Sequence, residues 1–251
     1  MAIARDSAAT TITATGLATS ITRAHTCTGS DVLLLSSCET ATITTDNITA
    51  ATYNGVSFLA NRIGLAQFTN GGDGNTYLYW SAEGTGSGAS ENCVFTCSTS
   101  DVFRAYTASY TGVDQSSPID ASATNNTDTV SGVEEATTIT VTASNCWAHM
   151  ITANNAGAPV AGTNATWLTT GTGGVGYGAF DSNGTIATGS FTMGWSIAST
   201  IGQGTVLCAF KPVASASGPT NLKSLDTNVK ANLKSYNTNI IANVKSINTN
   251  A

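Results

Sequence analysis

Charge is the scarcest property of this sequence. Only 10% of the 251 residues are charged, and the first 210 residues contain no lysine. Disordered chains are usually rich in charge and poor in apolar residues, whereas 41% of this chain is hydrophobic, so a folded protein is predicted. Because surface charge normally keeps proteins apart, its scarcity also predicts a surface that lies against other protein.

Long hydrophobic runs are missing as well. No stretch approaches the roughly 18 apolar residues that a transmembrane helix needs, so no membrane span is expected. The opening residues, MAIARDSAATTITATG, lack the apolar core of a signal peptide. We therefore expect either a protein whose leader has been removed, located outside the cell or on its surface, or a protein made in a cytoplasm without one, which favours a virion.

The motifs of catalysis and metal binding are missing too. The chain contains no CxxC, HExxH or GxSxG, and His25 and His149 belong to no metal pair. Gly171, Gly173 and Gly176 match GxGxxG, but a strand and a turn follow them where a dinucleotide site needs a helix. The segment 70–75 lacks the full ligand series of a calcium loop. The sequence therefore predicts a protein that is not an enzyme and has no cofactor or metal.

Six cysteines remain ambiguous at this level. Cys93 and Cys97 are too far apart along one strand to bridge each other, and Cys27 and Cys38 are out of register across a probable turn. Buried thiols and a long-range disulfide both stay open.

What the sequence has in abundance is threonine, serine and glycine. Ser and Thr together account for 69 residues and glycine for 25, a composition typical of strands joined by tight turns. About a dozen short strands with no convincing helix between them predict a mainly β fold. For residues 17–212 we expect a two-sheet antiparallel sandwich, jelly-roll or immunoglobulin-like.

The pattern of apolar and turn residues places these strands. Asn54-Gly55 predicts a type I′ turn, Asn183-Gly184 marks another tight turn, and residues 17–27 and 32–38 are expected to pair as a hairpin. Residues 114–132 are expected to form a polar loop. The remaining predicted strands cover 76–82, 92–98, 101–113, 136–143, 145–152, 165–170, 176–180, 189–198 and 205–210.

The C-terminal part follows different rules. After a linker at 213–220, residues 221–251 repeat with a period of 11. Apolar spacings of 3, 4 and 4 residues favour a helix over a short β-solenoid, although Asn, Thr and Ser are poor helix formers. Residues 1–210 carry a net charge of −10 and residues 211–251 of +4, which fits a tail that docks on a body or merely stays soluble. The predicted packing positions of the tail are Leu222, Leu225, Val229, Leu233, Tyr236, Ile240, Val244 and Ile247.

Some polar and aromatic residues are candidates for surface roles. Four asparagines precede x-[S/T] and are possible glycosylation sites in a secreted protein, or simply turns. These are Asn47, Asn125, Asn164 and Asn183. Four aromatic residues could line a platform for surface glycans, although alternating aromatic residues on strands more often belong to the core. These are Tyr77, Tyr79, Trp80 and Trp167.

Several motifs in a fixed order resemble a known group of proteins. They are HTCTGSDVLLL, ATYNGVSF, ASYTGVDQSSPIDASA, SNCWAHM and a closing VLCAFKP. The chain, over residues 2–212 and the tail, is similar to an uncharacterised β-sandwich family of environmental bacteria and phages with NxKSxNTN repeats. That family has no known catalytic residues. Some such proteins look like subunits of pilus-like fibrils, in which an N-terminal strand completes a neighbour's immunoglobulin-like sheet.

The resemblance gives a role to the extreme N-terminus. Residues 1–16 form an extended segment with small side chains, suited to insertion between two edge strands of another copy. The residues expected to contact the neighbour are Ile3, Ala8, Thr10, Ile12 and Ala14. An ordinary first strand that pairs within its own domain is the alternative. The expected partner is a copy of the chain itself; a tail or decoration protein of a virion and a carbohydrate-binding adhesin module are the other hypotheses, and nucleic acid is not expected.

Overall fold

The computed structural model describes residues 1–8, 13–41, 45–69, 74–130, 134–154, 157–171, 176–197 and 201–214. The chain divides into two units, Met1–Val213 and Ala214–Ala251. Of the second unit only Ala214 belongs to the described residues. The predicted repeat helix, its packing positions from Leu222 to Ile247, and the predicted contacts of Thr10 and Ile12 therefore lie outside them.

Within this described part the fold is mainly β and antiparallel, which confirms that part of the prediction. There is no α-helix there, and one 3-10 turn covers Leu59–Asn61. The strands are β1 (Ala4–Ala8), β2 (Thr13–Thr26), β3 (Ser30–Thr40), β4 (Ile48–Tyr53), β5 (Val56–Ser57), β6 (Arg62–Phe68), β7 (Gly74–Thr85), β8 (Ser90–Thr111), β9 (Ile119–Val130), β10 (Glu134–Val141), β11 (Trp147–Asn154), β12 (Val160–Ala161), β13 (Thr166–Gly171), β14 (Gly176–Asp181), β15 (Gly189–Ser196) and β16 (Ile201–Phe210).

The 22-residue strand β8 is the spine of an eight-stranded sheet. Strands β3 and β4 lie end to end along one edge of β8, and β7 and β6 continue the sheet from β3. Strands β1 and β2 lie end to end along the opposite edge of β8. The sheet curls into a half barrel around an apolar core that includes Ile21, Tyr79 and Phe95.

The second half of the chain adds two further sheets. A five-stranded sheet has the order β13-β14-β11-β16-β9, and a three-stranded sheet has the order β10-β15-β12. Ile151 on one face of β11 packs in a core with Leu35 and Tyr106 of the half barrel. Met150 on the other face packs with Trp195 of the three-stranded sheet. The five-stranded sheet is thus the middle layer, and its strands β11 and β14 are buried on both faces.

Three sheets therefore stand where the sequence predicts two. In a strand buried on both faces the alternation of apolar and polar residues disappears. Every residue of β11 and of β14 is buried, including polar ones such as His149 and Asp181. A middle layer rich in alanine, glycine and buried polar residues has no continuous apolar run that would identify it in the sequence.

Local predictions fared differently. The Asn54-Gly55 turn is confirmed: both residues have positive φ, 49° and 75°, and they join β4 to β5. The predicted hairpin of 17–27 with 32–38 is wrong, because β2 and β3 pair with opposite edges of β8 and not with each other. The predicted loop 114–132 is wrong over β9, which pairs with β16.

The cysteines are resolved by burial. All six are free and buried, so the buried-thiol alternative is the one that the structure supports. Burial raises the pKa of the Cys93 thiol to about 12, and its hydrogen bond with the Ser36 hydroxyl only partly offsets that rise. Thiols of this kind remain protonated at neutral pH and behave as small apolar side chains.

Candidate self-assembly site

The candidate site is the edge of β8 that receives the N-terminal strand. β1 pairs antiparallel with β8, with Ala4 opposite Thr111 and Ala8 opposite Ala108. The register shifts between Arg5 and Ser7, so that Asp6 has no direct partner across the ladder. This bulge turns the Asp6 side chain to its own set of contacts.

The first residues of the chain enter the core beside this edge. Ile3 is only 5% exposed and packs in the core between the half barrel and the five-stranded sheet. A Cβ atom on Gly112 would lie 2.4 Å from the carbonyl oxygen of Ala2, and Gly112 has a φ of +71°. Glycine is therefore required there both by the backbone angle and by the close approach of the N-terminal strand.

Arg5 makes the strongest contact between β1 and the rest of the protein. Its Nε donates to Oδ2 of Asp181 at 2.9 Å, and its Nη2 donates to Oδ1 at 2.7 Å. The Arg5 side chain is 30% exposed, whereas that of Asp181 on β14 is completely buried. Burial acts to lower the pKa of Arg5, but the hydrogen bond and the charge of Asp181 outweigh it and the pKa is raised. A two-bonded arginine–carboxylate pair is among the strongest polar contacts in proteins.

The receiving carboxylate is itself held in place. The hydroxyl of Tyr110 on β8 donates to Asp181 Oδ2 at 3.1 Å, and the backbone N–H of Asn183 donates to Oδ1 at 3.0 Å. The same Tyr110 hydroxyl lies 3.0 Å from Nδ1 of His149. Burial, and secondarily the charge of Arg5, lowers the pKa of His149 to about 3, so the imidazole is neutral. Arg5 thus ends a polar chain that links four strands, β1, β14, β8 and β11.

Asp6 makes a second anchor on a different side. Its Oδ2 accepts hydrogen bonds from the Ser109 hydroxyl at 2.8 Å and from the backbone N–H of Thr28 at 2.8 Å. The Thr28 hydroxyl also donates to Asp6. Ser109 in turn lies 2.9 Å from Nε2 of His25, which is buried. Asp6 therefore ties β1 to β8 and to the turn that follows β2.

The predicted donor residues fall into different places. Ile3 reaches the core, and Ala8 lies on β1. Ala14 is exposed and belongs to β2, where it lies opposite Arg104. The expected end of the segment at residue 16 falls inside β2, which continues to Thr26. The structure thus places Ala8 on β1, Ile3 just before that strand and Ala14 on β2.

Sequence reasoning missed the two residues whose side chains anchor β1 to the rest of the protein, Arg5 and Asp6. A signal was present, because these are the only charged residues among the first 22. An Arg-Asp pair in an otherwise uncharged segment indicates specific partners. Predicting those partners required knowing that residues 176 positions apart in the chain would meet.

The predicted glycosylation positions differ in accessibility. Asn164 and Asn183 are exposed, and Asn125 is half-buried. Asn47 is 5% exposed, and its side-chain oxygen accepts a hydrogen bond from Tyr77 at 3.1 Å. Its expected surface position is therefore not found in the folded chain.

The predicted aromatic platform does not come together. Tyr77 and Tyr79 are buried and stack on each other inside the half barrel, which fits the core alternative. Trp167 is 43% exposed and packs against Phe180 edge to face. A shallow cleft of about 440 Å³ is lined by residues that include Asn164, Thr166 and Phe191, two of which are close to Trp167 in the sequence.

No protein-family model matches the chain, and neither the curated proteins nor the solved structures give a significant match. Across the described ranges, no group of three or more His, Cys, Asp or Glu side chains is placed to hold a metal ion. No helix in that part of the chain is long and apolar enough to cross a membrane.

Proposed function

We propose that this chain is a structural subunit that assembles with copies of itself into a pilus-like fibril outside the cell. In the fibril, the N-terminal strand β1 leaves its own chain and occupies the same edge of β8 in a neighbouring protomer. The observation that carries the proposal is the way in which β1 is held: by a short ladder on one edge and by two specific anchors, Arg5 and Asp6.

The contacts of β1 are of the kind that can be exchanged. It is a strand of only five residues, and in the described part of the sheet it pairs with β8 alone. When an element is exchanged between identical protomers, each contact made within one chain is made again between two. The contacts of β1 therefore contribute the same free energy whether the strand lies in its own chain or in a neighbour. Two chains can be linked in this way without any new contact.

A β8 edge with no strand bound to it would be unfavourable, both in a single chain and in a fibril. Without β1, the edge of β8 from Ala108 to Thr111 would lose its partner, and Asp181 would lose its cation. Unpaired sheet edges promote association, and an unpaired buried carboxylate is costly. The site thus favours occupation by its own strand or a neighbour's. In this proposal the eight-stranded sheet has the role that the sequence analysis gave to an immunoglobulin-like sheet.

A cysteine pair across the site tests the exchange. Ala4 and Thr111 lie opposite each other and neither is buried, so Ala4→Cys with Thr111→Cys can form a disulfide. We expect mild oxidation of the assembled protein to give a ladder of linked chains on a non-reducing denaturing gel. The six native cysteines are buried and should not react under these conditions.

A matched pair serves as the control. Thr26→Cys with Ser90→Cys joins β2 to β8 at the far end of the same edge and should link only within one chain. Deleting residues 1–8 should abolish the fibrils that the full chain gives in negative-stain images. Fibrils from the shortened chain, or only intramolecular disulfides between positions 4 and 111, would refute the proposal.

One observation favours a second candidate, a carbohydrate-binding surface. Trp167 is an exposed aromatic residue on an edge strand, and aromatic side chains with one open face stack on sugar rings. Binding to a glycan array that disappears in Trp167→Ala, with Val160→Ala as the control for another exposed apolar residue, would support it. Equal binding by both variants would exclude it.

A further inference from the structure

Arg5 and Asp6 are neighbours in sequence but are held by different parts of the protein. Arg5 reaches Asp181 on β14 of the five-stranded sheet, and Asp6 reaches Ser109 and the turn at Thr28. Two side chains of opposite charge therefore bind two separate sets of partners, each at a fixed position beside the β8 edge. A backbone ladder alone would not distinguish one pairing from the next, because its hydrogen bonds are the same at every residue.

The site that binds Arg5 is held in place by residues outside β1. Asp181 is completely buried and is oriented by the Tyr110 hydroxyl and by the backbone N–H of Asn183. Both of these contacts come from groups outside β1, so they remain when β1 leaves. Neither supplies a positive charge, and Arg5 is the cation that pairs with Asp181 in the described residues. An incoming strand therefore meets a rigid site that requires a guanidinium at one position.

A strand that enters in another register cannot satisfy this site. A shift by one residue turns Arg5 to the opposite face of the sheet, and a shift by two moves it by roughly 7 Å along the edge. Either shift separates Arg5 from Asp181 and at the same time takes Asp6 away from Ser109 and Thr28. Leaving one member of a buried ion pair alone is strongly destabilising.

We propose that Arg5 and Asp6 act as a register lock, which admits the N-terminal strand of a second copy of this chain in one pairing with β8 and disfavours all others. This inference rests on the proposed function for the identity of the incoming strand. The lock explains how a segment made mostly of alanine, serine and threonine enters the edge in one position. The charged pair supplies the selectivity that its small side chains lack.

Two cysteine pairs report the register. Ala4→Cys with Thr111→Cys detects the pairing seen in the structure, and Ala2→Cys with Thr111→Cys detects a strand shifted by two residues. With Arg5 present, we expect the first pair to form a disulfide at least about tenfold more efficiently than the second. With Arg5→Ala, the ratio should fall toward one. Arg23→Ala, which removes the same charge from neighbouring β2, should leave the ratio unchanged.

Two further variants keep the test decisive if Arg5→Ala folds poorly. Arg5→Lys retains the charge but not the two-bonded geometry, and should give an intermediate ratio. Adding Asp181→Asn to Arg5→Ala removes the unpaired carboxylate, so the yield of folded protein should recover while the register stays mixed. A ratio that is the same with and without Arg5, or one that Arg23→Ala changes equally, would overturn the lock.

The same gels separate the two proposals. Disulfides found only within single chains would contradict the exchange. The ratio of the two cysteine pairs tests the effect of Arg5 on the register, whether or not the strand is exchanged. A fibril with linked chains and an unchanged ratio would keep the proposed function and refute the register lock.

Discussion

His149 is the residue on which the polar chain at the centre of the molecule depends. It is completely buried between Tyr106 and Tyr110, and its Nδ1 lies 3.0 Å from the Tyr110 hydroxyl. Its Nε2 is buried without a hydrogen-bond partner. A charged imidazole would have to be desolvated there, so the folded protein disfavours protonation.

This environment predicts a loss of stability in acid. The pKa of His149 is lowered to about 3 in the folded state, against 6.5 ordinarily, mainly by burial. A group with a lowered pKa contributes stability that is complete above its ordinary pKa and is lost as the pH falls toward the folded value. The free energy of unfolding should therefore drop by about 3 kcal/mol from this residue between pH 6.5 and pH 4. Urea unfolding of His149→Asn should show a weaker decline over that range.

Glu39 supplies the matching control because its effect has the opposite sign. Burial raises its pKa to about 7 despite the nearby Arg104, whose Nη1 lies 3.2 Å from the carboxylate. Its contribution is present below its ordinary pKa of 4.5 and is lost as the pH rises through 7. In a Glu39→Gln variant this opposing contribution is removed, so the free energy of unfolding should fall more steeply as the pH is lowered. A His149→Asn variant with the same pH profile as the parent would contradict this account.

At this scale the sequence predicted little of the candidate site. Ile3 was identified, as a contact to a neighbouring copy, and in the structure it packs in the core of its own chain. Arg5, Asp6 and Asp181 were not, because ion pairs between distant segments leave no local pattern. Asn47 shows the same limit. The N-x-[S/T] motif alone does not show whether the asparagine will be buried when the chain folds.

Among the elements, turns were predicted better than pairings. Asn54-Gly55 specifies its turn locally, since both residues must adopt positive φ. Strand β9 was missed because eight of the twelve residues in its sequence, IDASATNNTDTV, are polar. Its alternation is nevertheless visible in the structure, where Ala121 and Ala123 pack toward the core. The 22-residue strand β8 was predicted as two strands, since the polar residues at 98–101 look like a break in the sequence.

The turn at Gly55 gives a prediction at the scale of a single hairpin. Gly55 has a φ of +75°, and no atom lies within 4 Å of the position that a Cβ atom would take, so Gly55→Ala introduces backbone strain without a clash. We expect a loss of about 1 kcal/mol in the free energy of unfolding. Gly16→Ala on β2 has equal space and no positive φ, and should change stability far less. Equal effects of the two substitutions in urea unfolding would contradict the argument.

For the whole of the first unit, the middle sheet joins two cores. Met150 and Ile151 are neighbours on β11, yet Met150 packs toward the three-stranded sheet and Ile151 toward the half barrel. Since one strand contributes to both cores, neither can lose its packing without disturbing the other. Residues 1–213 should therefore unfold as one cooperative unit.

Calorimetry of two neighbouring variants tests this cooperativity. Met150→Ala and Ile151→Ala each remove a completely buried side chain, and each should cost about 2–5 kcal/mol. Both should shift the same single transition to lower temperature. Two separate transitions, each affected by only one of the variants, would show that the two cores melt independently.

The end-to-end placement of β1 and β2 along one edge of β8 has a mechanical consequence. A force that pulls Met1 along the strand axis loads the β1 ladder in shear, so its hydrogen bonds and the Arg5–Asp181 ion pair bear the tension together. A force at right angles would peel the same contacts apart one after another. A thread built from such joints would resist stretching far better than it resists being unzipped from the side.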